Sequence, residues 1–358
     1  LQISLELNQE NRDYSFIHFN ISKIIELHKS NNMCNATFKT YLGTRAVCFS
    51  HSGYSALLLP EMGANLISLK YQNVDVLNSP NSLSDMLIEP YSYGIPLLCP
   101  PNRIQGARFY YDGKEYKFPN NLVDGSHLHG VLHNTSWEIE SLGADATHAY
   151  VVAVCDGSNS EQIRNSLGDG ILFRIEYQLS KEGLKQLVSV QNQSRHIFPL
   201  GLAFHTAFKV PFCENSSADD VLLQLPISTR CRLNQKTFLP ELVDDPLSDI
   251  ELSIASQGYP PLKKQIDRLY KRDVLKKNEA VLTDIRNKVR IRYSAEDRYG
   301  YWIMWNNTAK EGFVGIEPQT WLSNAPYFAD RGSFDLGIIE VLPNMTETLT
   351  TAIQVEKI

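Results

Sequence analysis

ILFRIEYQL, residues 171–179, decides the fold class. Ile171, Phe173, Ile175, Tyr177 and Leu179 fall on one side of an extended chain, while Arg174, Glu176 and Gln178 fall on the other. A two-residue period with one apolar and one wet face is the pattern of an antiparallel strand covering a core. Outward from it, Glu182-Gly183 offers a turn, and LKQLVSVQN (184–192) a second alternating stretch. VRIRY (289–293) and TLTTAIQV (348–355) repeat the pattern, and the more continuously apolar segments 148–154 and 313–317 are expected as interior strands. Asp112-Gly113, between RFYY and KEYKF, predicts a tight hairpin, and Asp124-Gly125 and Asp169-Gly170 mark further turns. Helical spacing is confined to ISKIIELHK (21–29), with Ile21, Ile24, Ile25 and His28 on one stripe, and to a short stretch near 81–87. Strands do not alternate with helices and no glycine-rich phosphate loop occurs, which argues against a doubly wound nucleotide-binding fold. The expected class is all-β: a large antiparallel β-sandwich with few short helices, one domain over residues 39–358. Residues 1–38 are expected as an N-terminal extension, a strand and helix packed on the body. The polar, proline-containing stretch 233–265 is expected as a long loop excursion.

The chain has 358 residues, 43% hydrophobic and 21% charged, with a formal charge of −6. That length buries a full core without staples. The charge supplies neither the basic face that nucleic acid demands nor one suited to an anionic membrane, and no run approaches the about 18 apolar residues of a membrane span. Cysteines stand at 34, 48, 99, 155, 213 and 231, never as CxxC, and are expected reduced and mostly buried. The opening residues show no basic segment followed by an apolar core, so a cytoplasmic location is expected.

Four patches could carry chemistry: PPNRIQG (100–106), HLHG (127–130), GLAFHTAF (201–208) and GIEPQT (315–320). In the third, Leu200, Leu202, Phe204 and Phe208 share one face, and Gly201, Ala203, His205 and Ala207 the other. A histidine among tiny side chains is either a core imidazole bonded to a carbonyl or one with room for a ligand. In the fourth, Phe313, Gly315 and Glu317 share a face, and Pro318 keeps the chain extended. A carboxylate ending an apolar strand is either an ion-paired edge residue or a group whose partial burial lifts its pKa toward that of a general base. His127 and His129 lie two apart, and with His133 they would suit a transition metal, although no carboxylate or cysteine stands at a matching spacing. Arg103, held by Pro100-Pro101, presents a planar guanidinium suited to neighbouring hydroxyls, or to solvent.

Taken in order, PNRIQGARFYYDGKEYKF, HLHG with Trp137, GLAFHTAF, IDRLY (266–270), VGIEPQTWLSNAP and the closing DLGIIEVLPN and TLTT resemble the aldose 1-epimerase (galactose mutarotase) family over about residues 44–356. The resemblance implies a mutarotase-like supersandwich that uses neither metal nor cofactor and acts on a monosaccharide. Position by position, it implies Glu317 as general base, His205 as general acid, His129 as a second sugar-contacting histidine, and Arg103 and Asp267 as substrate-binding groups. His127 is expected to help bind substrate, because the run VDGSHLHGVLHN has one glycine after the histidine where the family has a pair. Trp321 and Tyr327, beside the glutamate motif, are candidates to stack on a sugar face, whereas Trp137 and Trp302 are expected in the core. The geometry implied is a carboxylate and an imidazole facing each other across a concave sheet at the width of a pyranose ring, one ionised and the other charged. Rival readings are a sugar-binding sandwich without turnover, a metal enzyme built on the three histidines, and a hexose-6-phosphate epimerase using Arg108 and Arg195. A monomer or homodimer is expected, without nucleic-acid or membrane partners.

Overall fold

A computed structural model describes residues 35–158, 160–329 and 334–358. The decisive alternation holds residue by residue: Ile171, Phe173, Ile175, Tyr177 and Leu179 are buried, while Arg174 turns outward to Glu140 and Glu176 at 2.9 and 3.2 Å. The strand Ile171–Ser180 pairs antiparallel with Gly183–Asn192, Ile175 opposite Val188, through the expected Glu182-Gly183 turn. These strands lie within an eight-stranded sheet, in the order 138–144, 149–156, 171–180, 183–192, 346–357, 289–295, 279–284 and 221–224. All the alternating stretches expected as strands lie in it.

A second sheet is ordered 240–245, 227–233, 267–272, 301–305, 313–319, 203–204 and 97–98, with 206–209 also paired to 313–319. Its inner face meets the first sheet through Phe208 and Trp302, whose rings lie edge-on to Tyr293 at 5.5 and 6.0 Å. The Tyr293 hydroxyl accepts from Thr206 at 2.9 Å, so a buried polar tip finds a partner inside the apolar layer. A third sheet of five strands, beginning at Ala36–Tyr41, is tied to the first: the Tyr54 hydroxyl takes the Val355 N–H at 2.9 Å. The architecture is the antiparallel sandwich expected. Trp137 and Trp302 are buried in it, and Arg108–Tyr111 and Lys114–Lys117 form the expected hairpin.

Four short α-helices occur among the described residues. Leu83–Ile88 meets the expectation near 81–87; it opens with a capping box in which Ser82 and Asp85 each accept the other's backbone N–H. The stretch 233–265 departs from expectation. It carries the strand Pro240–Asp245 and the helix Asp249–Ala255, because Glu251 ties the helix to Arg230 at 3.2 Å and to the Tyr270 hydroxyl at 3.0 Å. The helix expected at 21–29 and most of the extension over 1–38 lie outside the described residues; residues 36–38 begin the strand Ala36–Tyr41. Cys99, Cys155 and Cys231 are buried, and with Cys213 they form no disulfide. No described helix is long and apolar enough to cross a membrane.

Candidate active site

Register explains how His205 and Glu317 meet. Ala203 lies opposite Gln319, and Thr206 opposite Ile316, which sets His205 directly across from Glu317 on the neighbouring strand. On its other side the His205 N–H reaches the Pro96 carbonyl at 2.9 Å. Directly opposed residues on antiparallel strands point to the same face, with Cβ atoms about 5 Å apart. His205 Nε2 and Glu317 Oε1 are accordingly 3.1 Å apart, both side chains almost wholly buried. Gly315, one position back on the same face, makes room: a Cβ there would stand 3.3 Å from His205 Cε1. The two groups thus touch, rather than facing each other at pyranose width.

Burial of both groups works against the ion pair expected. Burial raises Glu317 well above the ordinary carboxylate range, with Asp267 adding to the rise. Burial pushes His205 down to about 3. Desolvation disfavours the charged form of each group, so both shifts run toward a neutral pair that shares one proton.

Around His205 stand three rings: Tyr91, His129 and Trp305, with centroids at 5.4, 5.4 and 5.3 Å. His129 has a left-handed backbone (φ 69°), and its N–H donates to the Asn102 carbonyl at 2.9 Å. Burial, then the neighbouring His205, keeps it neutral. Arg103 is half-buried, with its guanidinium 4.9 Å over the Phe238 ring. Burial lowers its pKa, opposed by Asp267 and Asp124. Asp267, opposite Trp305 at the start of its strand, is exposed as a whole residue, yet burial around its carboxyl raises its pKa while Arg103 and Arg268 lower it. Arg103, Asp267, His129, His205 and Glu317 are therefore brought within electrostatic reach of one another.

Two expected substrate contacts are placed elsewhere. Trp321 has no exposed surface. Its indole fills the slot left by Gly201, where a Cβ would stand 2.2 Å from the ring, lies edge-on to Phe109 at 6.3 Å, and reaches the Pro101 carbonyl at 3.5 Å. Trp321 is a core side chain bracing the segment before Arg103, with no face for a sugar. His127 is buried and stacked on Phe118 at 5.0 Å, its Nδ1 2.7 Å from the Pro119 carbonyl; it supports the loop beneath His129. His133 Nε2 lies 3.3 Å from the Tyr91 hydroxyl. Among the described residues no three His, Cys, Asp or Glu side chains converge to hold a metal ion. Arg108 is exposed beside Glu115 on the hairpin, and Arg195 is exposed in a loop. A hollow of about 840 Å³, lined by Arg232, Lys236, Phe238 and Arg268 among others, adjoins the site through Phe238 but excludes Glu317 and His205.

Sequence reasoning missed Tyr91, Phe238 and Trp305. Trp305 was accessible: it stands three from the core residue Trp302, and therefore on the opposite face. Tyr91 and Phe238 sit on loops, where no period announces a direction. What marks the site as a place for a ligand is its unmet polarity. Glu317 Oε2, His129 Nδ1 and Gln319 Oε1 are buried without hydrogen-bond partners. Such groups cost about 1–3 kcal/mol each when left so, and several along one face point to hydroxyls of a bound molecule.

Comparison with known proteins bears on the family and the fold. The aldose 1-epimerase family model matches residues 45–339. A galactose mutarotase-like protein from Clostridium acetobutylicum is 27% identical with a TM-score of 0.85, over 92% of this chain and 100% of that one. Galactose 1-epimerase from Lactobacillus acidophilus NCFM has a TM-score of 0.68 over 90% of this chain and 98% of its own, at 16% identity, a likeness of fold alone. An uncharacterized protein of Escherichia coli (strain K12), YihR, is 26% identical over 196 residues, 54% of this chain; the match spans little more than half of that relative, 58% of its length.

Proposed function

The chain belongs to the aldose 1-epimerase family, and from that premise we propose that it interconverts the α and β anomers of a free aldose, with Glu317 and His205 as the proton-transfer pair. The observation that carries the reading is their 3.1 Å contact in a buried site, where the second carboxylate oxygen has no partner. Sugar hydroxyls supply the missing hydrogen bonds and draw the shared proton from Glu317 to His205. The carboxylate then takes the C1 hydroxyl proton while the imidazolium gives its proton to the ring oxygen. The C1–O5 bond opens to the aldehyde, C1 turns about C1–C2, and closure with the roles reversed yields the other anomer. Protons balance within the pair, so turnover leaves the site as it began. His129, Arg103 and Asp267 orient the remaining hydroxyls. The setting proposed is the cytoplasm, where the cysteines stay reduced.

Polarimetry on freshly dissolved α-anomers of glucose, galactose, a pentose and a hexose 6-phosphate tests the reading. Faster approach to equilibrium rotation is expected with at least one sugar. No acceleration with any of them, alongside measurable sugar binding, would leave a binding sandwich without turnover.

The pH dependence follows from one shared proton. At low pH His205 gains a second proton and no base remains; at high pH Glu317 loses the only proton and no acid remains. Because burial holds His205 down at about 3, kcat/KM is expected to show no acid limb at weakly acidic pH, and because burial raises Glu317, the alkaline limb is expected above the ordinary carboxylate range. An acid limb near 6.5, the ordinary imidazole value, would show that His205 is solvated and the assignment wrong.

A further inference from the structure

Tyr91 lies on the segment joining the helix Leu83–Ile88 to the strand Leu97–Leu98, and nothing in the acid–base scheme uses it. Its ring centroid is 4.4 Å from that of His129, 5.3 Å from His133 and 5.4 Å from His205, so it touches every imidazole at the centre of the site. Its hydroxyl is 3.3 Å from His133 Nε2. The backbone that carries it is laced to the His205 strand: His205 N–H donates to the Pro96 carbonyl and Ala207 N–H to the Gly94 carbonyl, each at 2.9 Å. Asn78 Nδ2 holds the Ser92 carbonyl at 2.7 Å, and Gly94 N–H reaches the Asn78 carbonyl at 3.0 Å. An aromatic ring held this way beside two imidazoles restricts their rotation and covers part of their surface.

Building on the acid–base reading, we propose that Tyr91 is a positioning residue: its ring sets the orientation of His205 and His129 and keeps the Glu317–His205 pair dry. It acts through those groups and need not touch the sugar. The groups facing His205 are Glu317 on the adjacent strand, His129, Tyr91 and, by its charge, His133; Arg103 and Asp267 stand further out, beside His129 and Glu317. Burial is the largest cause holding His205 low, so admitting water moves its titration upward.

The test compares Tyr91→Phe, Tyr91→Leu and Tyr91→Ala in the full chain. Two readouts are needed: polarimetric kcat and KM, and the NMR titration of the His205 ring, which does not depend on turnover. Tyr91→Phe keeps the ring and is expected to retain most of kcat and the His205 titration. Tyr91→Ala is expected to lower kcat by about 10²-fold, the cost of misplacing catalytic groups, with KM little changed, and to move His205 from about 3 toward its ordinary 6.5. Tyr91→Leu, which keeps apolar volume without a planar ring, carries the same test with a smaller shift if the alanine variant does not fold. A wild-type His205 titration in both the Leu and Ala variants would overturn the inference, as would a Tyr91→Phe loss equal to that of Tyr91→Ala. A wild-type chain that turns over no sugar would defeat the proposed function while the titration still decided this inference.

Discussion

Glu317→Gln is expected to lower kcat by about 10²–10⁴-fold, the ordinary contribution of one positioned acid or base, while leaving the protein at least as stable as its parent at neutral pH. Glutamine preserves the volume in a site where the carboxylate is almost wholly buried, and its amide can still meet His205 across the 3.1 Å contact. It cannot carry a proton away from a sugar. The stability half follows from linkage. Glu317 binds its proton more tightly folded than unfolded, because burial raises its pKa well above 4.5. Between those two values the folded chain holds a proton the unfolded chain has released. Its stability therefore falls as pH rises through that interval, and is fully present only below the unfolded value. Glutamine has no such slope. Denaturant melts of the two proteins should converge in acid and separate toward neutral pH, the variant above the parent. A variant that lost activity and was also less stable at every pH would mean that Glu317 holds the sheet together, and its catalytic assignment would fail. Stability given up for a buried carboxyl is the usual exchange at functional sites.

How much of this could be read from the chain differs from residue to residue. Ile171 to Leu179 announced a one-sided strand because a period of two has no other physical reading at that length, and each of those side chains is buried. Glu317 was visible because a carboxylate closing an apolar strand demands an explanation. Its contact with His205 was harder: the residue opposite Glu317 depends on the register between strands more than a hundred residues apart, which is fixed by pairings such as Ala203 with Gln319. The charge balance of the pair was illegible for a related reason. Proximity alone favours an ion pair, whereas burial, a property of the whole fold, works against both charges. Trp321 sits in a motif beside the glutamate, and that neighbourhood suggested a sugar-stacking ring. Gly201, in the link between the strands Phe198–Leu200 and Ala203–Phe204, opens the slot that takes it into the core instead. Tyr91 gave no sign at all, since a loop residue's direction is set by the backbone bonds of Ser92 and Gly94 rather than by any spacing.

Gly130→Ala is expected to be among the most damaging single methyl additions to this protein, and Gly113→Ala shows why by contrast. Both glycines have left-handed backbones, φ 64° and 71°, so both alanines pay the same penalty of about 1–2 kcal/mol for an L-residue there. Gly113 sits at the hairpin tip with nothing within 4 Å of a new Cβ. At Gly130 that atom would fall 1.9 Å from the Cys99 carbonyl oxygen and 2.7 Å from the Pro100 nitrogen. These are backbone atoms, so no side chain can rotate away, and overpacking adds about 1–3 kcal/mol or more. Relief requires one of two movements. The Cys99–Pro100 segment can retreat, dragging Leu97–Leu98 and the Pro96 carbonyl that holds the His205 N–H. Alternatively the 129–131 turn can lift, breaking the His129 N–H bond to Asn102. Either route displaces an imidazole from the Glu317 pair. The expected result is a loss of stability at Gly130→Ala exceeding that at Gly113→Ala by about 1–3 kcal/mol, measured by denaturant unfolding, with a fall in kcat/KM confined to the Gly130 variant. Equal losses in the two variants, with activity intact in both, would mean that the close approach of Cys99 to Gly130 does not set the position of His129.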